Sequence, residues 1–373
     1  MEKRKKGKES VAGAGEDNQI LYPAMHPRPA EFYNSLPKVE LHQHLEGSMR
    51  LTTLMEVGRA YDLDIPDADH LRPFVQVDQA DPHTSKNFLS KFEVLRNFYR
   101  SPEVIMRIAE EAVADAAADN VRYLELRFTP AALGKVADFP LGEVMDWVIE
   151  GIKKPQSKHK ISTRLIASIN RHESVEIAAQ VAELAIDRLD SALVGLDLAG
   201  DEANYPAAPF EPIFQEARQG GLNITIHAGE WGPAENVAQA ITLLGAERIG
   251  HGVRVMEDTE VVAMAREKGT TFEVCVTSNY QSGVVFSLDK HPVQNMIRAG
   301  LNTTINTDDP GISQISLSDE YALVCEQIGF SITTLQDRVS AAAQASFLPD
   351  KERGNLAASL DREFQDFIIS QLD

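Results

Sequence analysis

Cysteine is scarce in this chain. Only Cys275 and Cys325 occur among its 373 residues. Two thiols so far apart in sequence do not build a disulfide framework, and they are too few for a zinc finger of the all-cysteine or the mixed cysteine–histidine kind. A chain of this length can instead be stabilised by a large hydrophobic core.

Excess positive charge and long apolar runs are lacking as well. The chain has 36 Lys and Arg against 56 Asp and Glu, a formal net charge of −20. This acid excess argues against binding to the phosphate backbone of nucleic acids. No apolar run approaches the ~18 residues of a membrane helix, and the basic N-terminus lacks the apolar segment of a signal peptide. We therefore expect a cytoplasmic protein that binds neither nucleic acid nor membrane, with its oligomeric state left open.

Several catalytic signatures are also missing from the sequence. It contains no Gly-x-Ser-x-Gly elbow, which argues against serine hydrolysis, and no P-loop. The histidine at 172 is followed by glutamate but not by the second histidine of a zinc protease helix. The His-x-Glu and Pro-Cys-x-x-Cys pair of zinc deaminases that act on flipped-out bases is absent too.

A regular alternation of elements is present. Short runs rich in β-branched and aliphatic residues alternate with longer helical patterns, which predicts an α/β fold with a (β/α)8 TIM-type barrel. A doubly wound open sheet is the second possibility, but its glycine-rich phosphate turn is missing. We expect a flexible tail over residues 1–30 and a single domain over 31–373. The predicted strands cover 39–45, 121–128, 162–169, 192–199, 223–229, 248–253, 271–277 and 302–307.

The interval between the first two predicted strands is long enough for extra helices. It contains an amphipathic helix at 86–99 whose apolar side carries Phe88, Leu89 and Phe92. This helix could pack against the core, cover an apolar ligand at the barrel mouth, or do both.

Histidines and carboxylates collect where the predicted strands end, which is where barrels of this kind place their catalytic groups. His42 and His44 are two residues apart in a strand, so both side chains point to one face. The fifth strand ends in His227 and Glu230, and the sixth ends in His251.

The end of the eighth strand adds Asp308 and Asp309. Three imidazoles, those of His42, His44 and His227, would combine with one of these aspartates into a ligand set with an open position. Such a set suits catalytic Zn²⁺, although Fe²⁺, Mn²⁺ or Co²⁺ would also bind.

These segments together resemble the adenosine deaminase family of the amidohydrolase superfamily, from about residue 37 to about residue 350. The form of the segment at 277–283 is similar to bacterial adenosine deaminases. The motifs that carry the resemblance are PKVELHQHLEG, YLELRFTP, DLAGDE, IHAGE, ERIGHGVR, TSNYQSG and INTDDPG.

The resemblance implies a zinc-dependent hydrolytic deamination of adenosine or 2′-deoxyadenosine. It implies one zinc per chain, because the fourth strand ends without the lysine that binuclear relatives use. Glu230 would protonate the purine at N1, and His251 and Asp308 would align the attacking water. The implied zinc ligands are His42, His44, His227 and Asp308, and the implied substrate contacts are Glu46, Gly200, Asp309, Phe88, Leu89 and Phe92.

Glu46 departs from the familiar family pattern. Well-known adenosine deaminases carry aspartate there, which binds the ribose 5′-hydroxyl, whereas related adenine and aminofutalosine deaminases carry glutamate. The alternative is therefore the same chemistry on adenine or on a 5′-modified adenosine such as aminofutalosine or methylthioadenosine. Deamination of AMP is disfavoured, because only Arg50 is an obvious phosphate ligand near Glu46. A purine-binding protein without turnover and a metal-dependent ester or lactone hydrolase are the remaining alternatives.

Overall fold

A computed structural model describes residues 28–371 of the chain. Within that range eight parallel strands form one sheet in which each strand pairs with the next along the sequence. Most of the tail predicted for residues 1–30 lies outside the described range. The strands are β1 (Lys38–His44), β2 (Val121–Phe128), β3 (Ser162–Asn170), β4 (Leu193–Ala199), β5 (Asn223–Ala228), β6 (Arg248–His251), β7 (Thr271–Val274) and β8 (Asn302–Ile305).

The sheet closes on itself through the chain that follows β8. Gln43 of β1 forms a parallel bridge with Asp308. The Asp308 amide donates to the His42 carbonyl and the His44 amide donates to the Asp308 carbonyl, both at 2.8 Å. Together with the parallel order of all eight strands, this closure confirms the predicted (β/α)8 barrel.

Helices surround the strands, and extra ones follow β1 as the sequence predicts. Four α-helices lie between β1 and β2. The helix predicted at 86–99 corresponds to α4 and the short 3₁₀ turn Arg96–Phe98 that follows it. The α-helices within residues 28–371 are α1 (Ala30–Ser35), α2 (Leu51–Ala60), α3 (Ala68–Val75), α4 (Ser85–Leu95), α5 (Pro102–Ala118), α6 (Pro130–Gly134), α7 (Leu141–Lys158), α8 (Val175–Ile186), α9 (Glu211–Gln219), α10 (Ala234–Thr242), α11 (Thr259–Lys268), α12 (Val276–Gln281), α13 (Val293–Arg298), α14 (Pro310–Ser313), α15 (Leu317–Leu323), α16 (Ile332–Ala345) and α17 (Asp350–Ser370).

Two strands end earlier than their apolar runs suggest. Gly252 takes a left-handed conformation with φ of +64°, which ends β6 at His251. Strand β7 ends at Val274, and α12 begins two residues later. The apolar residues beyond these ends therefore pack as turn or helix, a choice that hydrophobicity alone does not decide.

Strand β1 shows how the barrel separates apolar from polar side chains. All seven of its residues are buried, as in a parallel strand that is covered on both faces. Val39 and Leu41 belong to the hydrophobic core. The alternate residues Glu40 and His42 instead make polar contacts, Glu40 with Thr307 and His42 with a carboxylate described below. Along the described chain, no helix is long and apolar enough to cross a membrane.

Candidate metal centre and active-site pocket

Imidazole and carboxylate groups from four strand ends meet at the C-terminal mouth of the barrel. The potential ligand atoms of His42, His227, His251 and Asp308 all lie within 4.8 Å of one another. His44 Nε2 lies 3.2 Å from His227 Nε2 and 3.4 Å from Asp308 Oδ1. All five groups are buried. The structure thus brings together every residue that the sequence suggests for the metal set.

Carboxylates behind two of these imidazoles determine which nitrogen faces the centre. His42 Nδ1 is 2.7 Å from Glu273 Oε2, and His227 Nδ1 is 3.0 Å from Asp197 Oδ1. A carboxylate accepts a hydrogen bond from Nδ1–H, so the proton of each ring stays on Nδ1 and its lone pair is on Nε2. His42 Nε2 makes no hydrogen bond with the described residues, although Asp308 Oδ1 lies 3.2 Å away. This buried, unpartnered nitrogen fits a metal ligand.

His251 carries its proton on Nε2 rather than on Nδ1, and this follows from a chain of three hydrogen bonds. The Val293 amide donates to His291 Nδ1, so the proton of the neutral His291 ring is on Nε2. That nitrogen faces Asn279 Oδ1 at 3.3 Å, and Asn279 Nδ2 therefore faces His251 Nδ1 at 3.0 Å as a donor. His251 Nδ1 accepts, and its Nε2 carries the proton. His251 is thus a hydrogen-bond donor toward the centre, whereas His42 and His227 offer lone pairs.

Two of these residues have a left-handed backbone. His251 has φ of +58° and Asp308 has φ of +69°, a left-handed conformation that is uncommon outside glycine. Such conformations cost on the order of 1–3 kcal/mol each and cluster at functional sites. Gly250 permits the close approach of the rings, because a Cβ there would lie 2.8 Å from His42 Cε1.

Glu230 lies beside the imidazoles on a turn that another carboxylate holds. Glu202 accepts hydrogen bonds from the Gly229 and Glu230 amides at 2.6 and 3.1 Å. Burial, followed by repulsion from Asp308 and Glu202, raises the pKa of the Glu230 carboxyl well above its usual value. A carboxyl in this environment holds its proton to a higher pH than an exposed one and can act as an acid.

A cavity of about 280 Å³ opens above these groups. The predicted lid residues Phe88, Leu89 and Phe92 of α4 all line it, and so do the predicted contacts Glu46, Gly200 and Asp309. The residues that line it without having been singled out as contacts include Glu93, Arg96, Thr129, Asn170, His172, Asp201 and Trp231.

Two further carboxyls face this cavity. Glu46 Oε1 accepts the Thr129 amide at 2.7 Å, and Glu46 Oε2 has no hydrogen-bond partner among the described residues. Asp309 packs against Gly47, where a Cβ would lie only 1.8 Å from Asp309 Oδ1. Burial and then the neighbouring Asp308 charge raise the pKa of Asp309 well above its usual value.

Comparison with known proteins gives the chain a family. The sequence model of the family "Adenosine deaminase" matches residues 37–363. The chain is 35% identical to an adenosine deaminase of Erwinia tasmaniensis, over 88% of this chain and 98% of the relative. It is 36% identical to an adenosine deaminase of Pectobacterium atrosepticum, over 88% of this chain and 97% of the relative. The chain belongs to the adenosine deaminase family.

Solved structures of an amidohydrolase, an adenine deaminase and ADAL share the fold of this family member. An amidohydrolase of Burkholderia ambifaria with bound zinc has a TM-score of 0.84 at 27% identity, over 95% of this chain and 96% of that one. An adenine deaminase of Arthrobacter aurescens scores 0.82 at 26% identity, over 89% of this chain and 99% of that one. Arabidopsis ADAL in complex with IMP scores 0.80 at 30% identity, over 90% of this chain and 99% of that one.

In this member of the adenosine deaminase family, sequence reasoning did not assign the residues behind the metal set. Glu273 lies in the middle of a predicted strand, where it looks like one more polar position. Asp197 is near a strand end, but nothing in the sequence pairs it with His227. The signal that could have identified Glu273 is its charge within a strand that the sequence predicts to be fully buried, because an interior charge needs a partner.

An arginine joins these two carboxylates. Arg127 of β2 lies 2.7 Å from Glu273 Oε2 and 3.5 Å from Asp197 Oδ2, and it also donates to the Leu41 carbonyl at 2.8 Å. Its side chain is fully buried. The guanidinium therefore contacts both acids that orient the imidazoles of His42 and His227, and its charge offsets part of theirs.

Proposed function

We propose that this protein hydrolyses adenosine and 2′-deoxyadenosine at C6 to inosine and 2′-deoxyinosine with release of ammonia. The observation that carries the proposal is Glu230, an acid with a raised pKa beside a buried cluster of imidazole lone pairs. Deamination at C6 needs both an acid for the ring nitrogen and an activated water.

The proposed ligands of a single Zn²⁺ are His42, His44, His227 and Asp308. The Nε2 lone pairs of His42 and His227 support this choice, and His44 Nε2 lies within 3.4 Å of both His227 and Asp308. The Nε2 proton of His251 argues for His44 rather than His251 as the third imidazole. Bound zinc lowers the pKa of water to roughly 7 and so supplies hydroxide near neutrality.

The surrounding residues have separate proposed tasks in the reaction. Glu230 gives its proton to N1 of the purine, which makes C6 more electrophilic. The His251 Nε2 proton and the Asp308 carboxylate orient the attacking oxygen toward C6. The first proton of the attacking water replaces the one that Glu230 gave to N1. The second passes from the oxygen added at C6 to the amino group, which leaves as ammonia, and the oxygen remains on C6 as the carbonyl of the product.

The purine is held on its other edges. A protonated Asp309 donates to N7, which its raised pKa supports. The backbone amide of Gly200 donates to N3. Phe88, Leu89 and Phe92 form an apolar wall along the same cavity and exclude water from it, which strengthens the polar contacts inside.

Glu46 is proposed to serve the ribose. Because the Thr129 amide already occupies Oε1, the free Oε2 can accept a hydrogen bond from the 5′-hydroxyl. This arrangement gives the longer glutamate the task that aspartate has in the familiar enzymes. Adenine, which lacks the sugar, would leave that oxygen without a partner, at a cost of roughly 1–3 kcal/mol.

The test is ammonia release by zinc-loaded protein with adenosine, adenine and 5′-methylthioadenosine in parallel. We expect adenosine to be turned over fastest. The Glu230→Gln variant should lose at least roughly 100-fold in kcat while its zinc content stays unchanged, because only the proton donor is removed. Glu235→Gln is the matched control, since Glu235 is exposed on the neighbouring helix α10. Full activity of Glu230→Gln, or release from none of the three purines, would overturn the proposal.

A further inference from the structure

The segment TSNYQSG (277–283) carries part of the family resemblance, yet it contributes nothing to the wall of the cavity. It forms most of α12 (Val276–Gln281) and the turn that follows this helix. Among the described residues that line the cavity, none comes from this segment. Any influence of the segment on the site must therefore pass through the groups that its side chains contact.

Two buried side chains of α12 contact residues of the candidate metal centre. Ser278 Oγ donates to Asp308 Oδ2 at 2.7 Å, so the other oxygen of that carboxylate, Oδ1, is left facing His42 Nε2 at 3.2 Å. Asn279 Nδ2 lies 3.0 Å from His251 Nδ1. The helix therefore sets both the rotation of the Asp308 carboxylate and the proton position of His251.

The helix that holds these two side chains is too short to be stable alone. It has six residues, whereas isolated helices below about 12–15 residues are marginal in water. Its first amides need acceptors, but the residue at the N-cap is Cys275, whose side chain makes no capping hydrogen bond. That thiol instead faces the Glu273 carbonyl at 3.6 Å. The start of α12 thus depends on an acceptor from elsewhere in the chain.

Glu320 of α15 is this acceptor. Its Oε2 accepts the Val276 amide at 3.0 Å, and its Oε1 accepts the Thr277 amide at 3.1 Å. The Thr277 hydroxyl donates to Oε1 as well. Glu320 is fully buried, and a carboxylate at this end of a helix also complements the positive end of the helix dipole.

We propose that Glu320 is a positioning residue, which fixes α12 so that Ser278 and Asn279 align Asp308 and His251. The inference rests on the proposed function for the tasks of Asp308 and His251 in the reaction. The alignment itself is a property of the protein without substrate. Since α12 does not line the cavity, Glu320 controls zinc binding and turnover but not the binding of the purine.

The first experiment measures zinc affinity by competition with a chromophoric chelator, which needs no turnover. The loss of a helix cap limits the expected effect, so Glu320→Leu should bind zinc roughly 2- to 30-fold more weakly than the unaltered chain. In a chain that already carries Ser278→Ala, the same substitution should add less than about a twofold loss, because its route to Asp308 is gone. A full additional loss in that chain would refute the inference.

A variant destabilised elsewhere serves as the control for a general loss of stability. Leu360 is buried in α17 and lies beside Arg122 and Ser162, at the starts of β2 and β3 and so at the opposite end of the barrel. Leu360→Ala should lower the melting temperature by leaving a cavity, while zinc affinity and kcat stay unchanged. If Leu360→Ala weakens zinc binding as much as Glu320→Leu does, the role of Glu320 is only structural and the inference fails.

A milder variant keeps the test decisive if Glu320→Leu does not fold. Thr277→Val removes the hydroxyl that donates to Glu320 but keeps the shape of the side chain and both amide contacts. It should weaken zinc binding in the same direction by a smaller factor, and again add little in the Ser278→Ala chain. Zinc affinity equal to that of the unaltered chain in every folded variant at these two positions would overturn the inference.

Steady-state kinetics with adenosine separate this inference from the proposed function. Zinc-loaded Glu320→Leu should have a lower kcat through its effect on His251, with KM unchanged within about twofold. A change in KM alone would contradict a positioning role. If no purine is deaminated but the zinc measurements show the expected dependence on Ser278, the inference stands without the function. If adenosine is deaminated well and Glu320→Leu matches the unaltered chain in zinc affinity and kcat, the function stands and the inference fails.

Discussion

Replacing Asp197 with asparagine tests whether the carboxylates behind the imidazoles control the metal centre. Asp197 Oδ1 accepts from His227 Nδ1 at 3.0 Å, and its other oxygen accepts from Ser168 Oγ at 2.9 Å. An asparagine can keep both contacts, with its oxygen toward His227 and its NH₂ toward the serine. Arg127 loses a partner at 3.5 Å but keeps Glu273 at 2.7 Å. The substitution therefore removes a charge with little change in shape.

The expected loss of zinc affinity follows from two effects with the same sign. A neutral amide lowers the basicity of the His227 ring, so its Nε2 lone pair is a poorer ligand. If the amide rotates, its NH₂ group faces Nδ1 and moves the ring proton to Nε2, which removes the ligand altogether. Changes to such supporting groups weaken metal binding by roughly 10- to 100-fold, which corresponds to about 1.4–2.8 kcal/mol.

The assay is competition for zinc between the protein and a chromophoric chelator, with zinc content measured after dialysis. Ser168→Ala is the matched control, because it removes the other hydrogen bond of the same carboxylate without touching His227. We expect Asp197→Asn to lose zinc at chelator concentrations that leave Ser168→Ala loaded. Equal zinc affinity of Asp197→Asn and the unaltered chain, or an equal loss in both variants, would refute the role of the carboxylate.

Two further predictions concern the proton positions in the site. Burial, followed by repulsion from Asp308 and Glu202, raises the pKa of Glu230, so kcat/KM should fall as the pH rises through that raised value and the proton is lost. A rate that keeps rising with pH would contradict a protonated Glu230 as the acid. Asn279→Leu removes the donor that places the His251 proton on Nε2, so kcat should fall at least roughly tenfold while the zinc content stays unchanged. An unchanged kcat in a variant whose zinc content has been measured would contradict this tautomer.

The barrel and the positions of its proposed catalytic residues follow from local sequence patterns. Alternation of β-branched runs with helical patterns predicts the eight strands, because parallel strands that are buried on both faces are apolar throughout. The closure of the barrel then brings together all the strand ends, so His42, His227 and Asp308 meet although they are far apart in the chain. The Phe88, Leu89 and Phe92 stripe of α4 follows from helical periodicity and a long connection.

The groups that adjust the site could not be predicted in the same way. Whether Glu273 faces an imidazole or solvent depends on the register of β7 against its neighbours, which no local pattern fixes. His251 looks like a metal ligand from its position, and only its contact with Asn279 identifies it as a donor.

The ionic interior of the barrel is better explained by the demands of the site than by stability. Barrels of this type usually fill their interior with branched apolar side chains, yet Arg127 and Arg248 are buried here, and both contact Glu273. Burying such charges costs desolvation free energy that their attraction only about offsets, and well-packed apolar replacements are often neutral or stabilising. An apolar interior would leave His42 and His227 without acceptors for their Nδ1 protons, and either ring nitrogen could then face the metal. We infer that the network persists because it fixes the tautomers and orientations of the imidazole rings that are proposed to bind the metal. It also follows that removing a single member should be costly, at roughly 3–5 kcal/mol, since it leaves an unpaired buried charge.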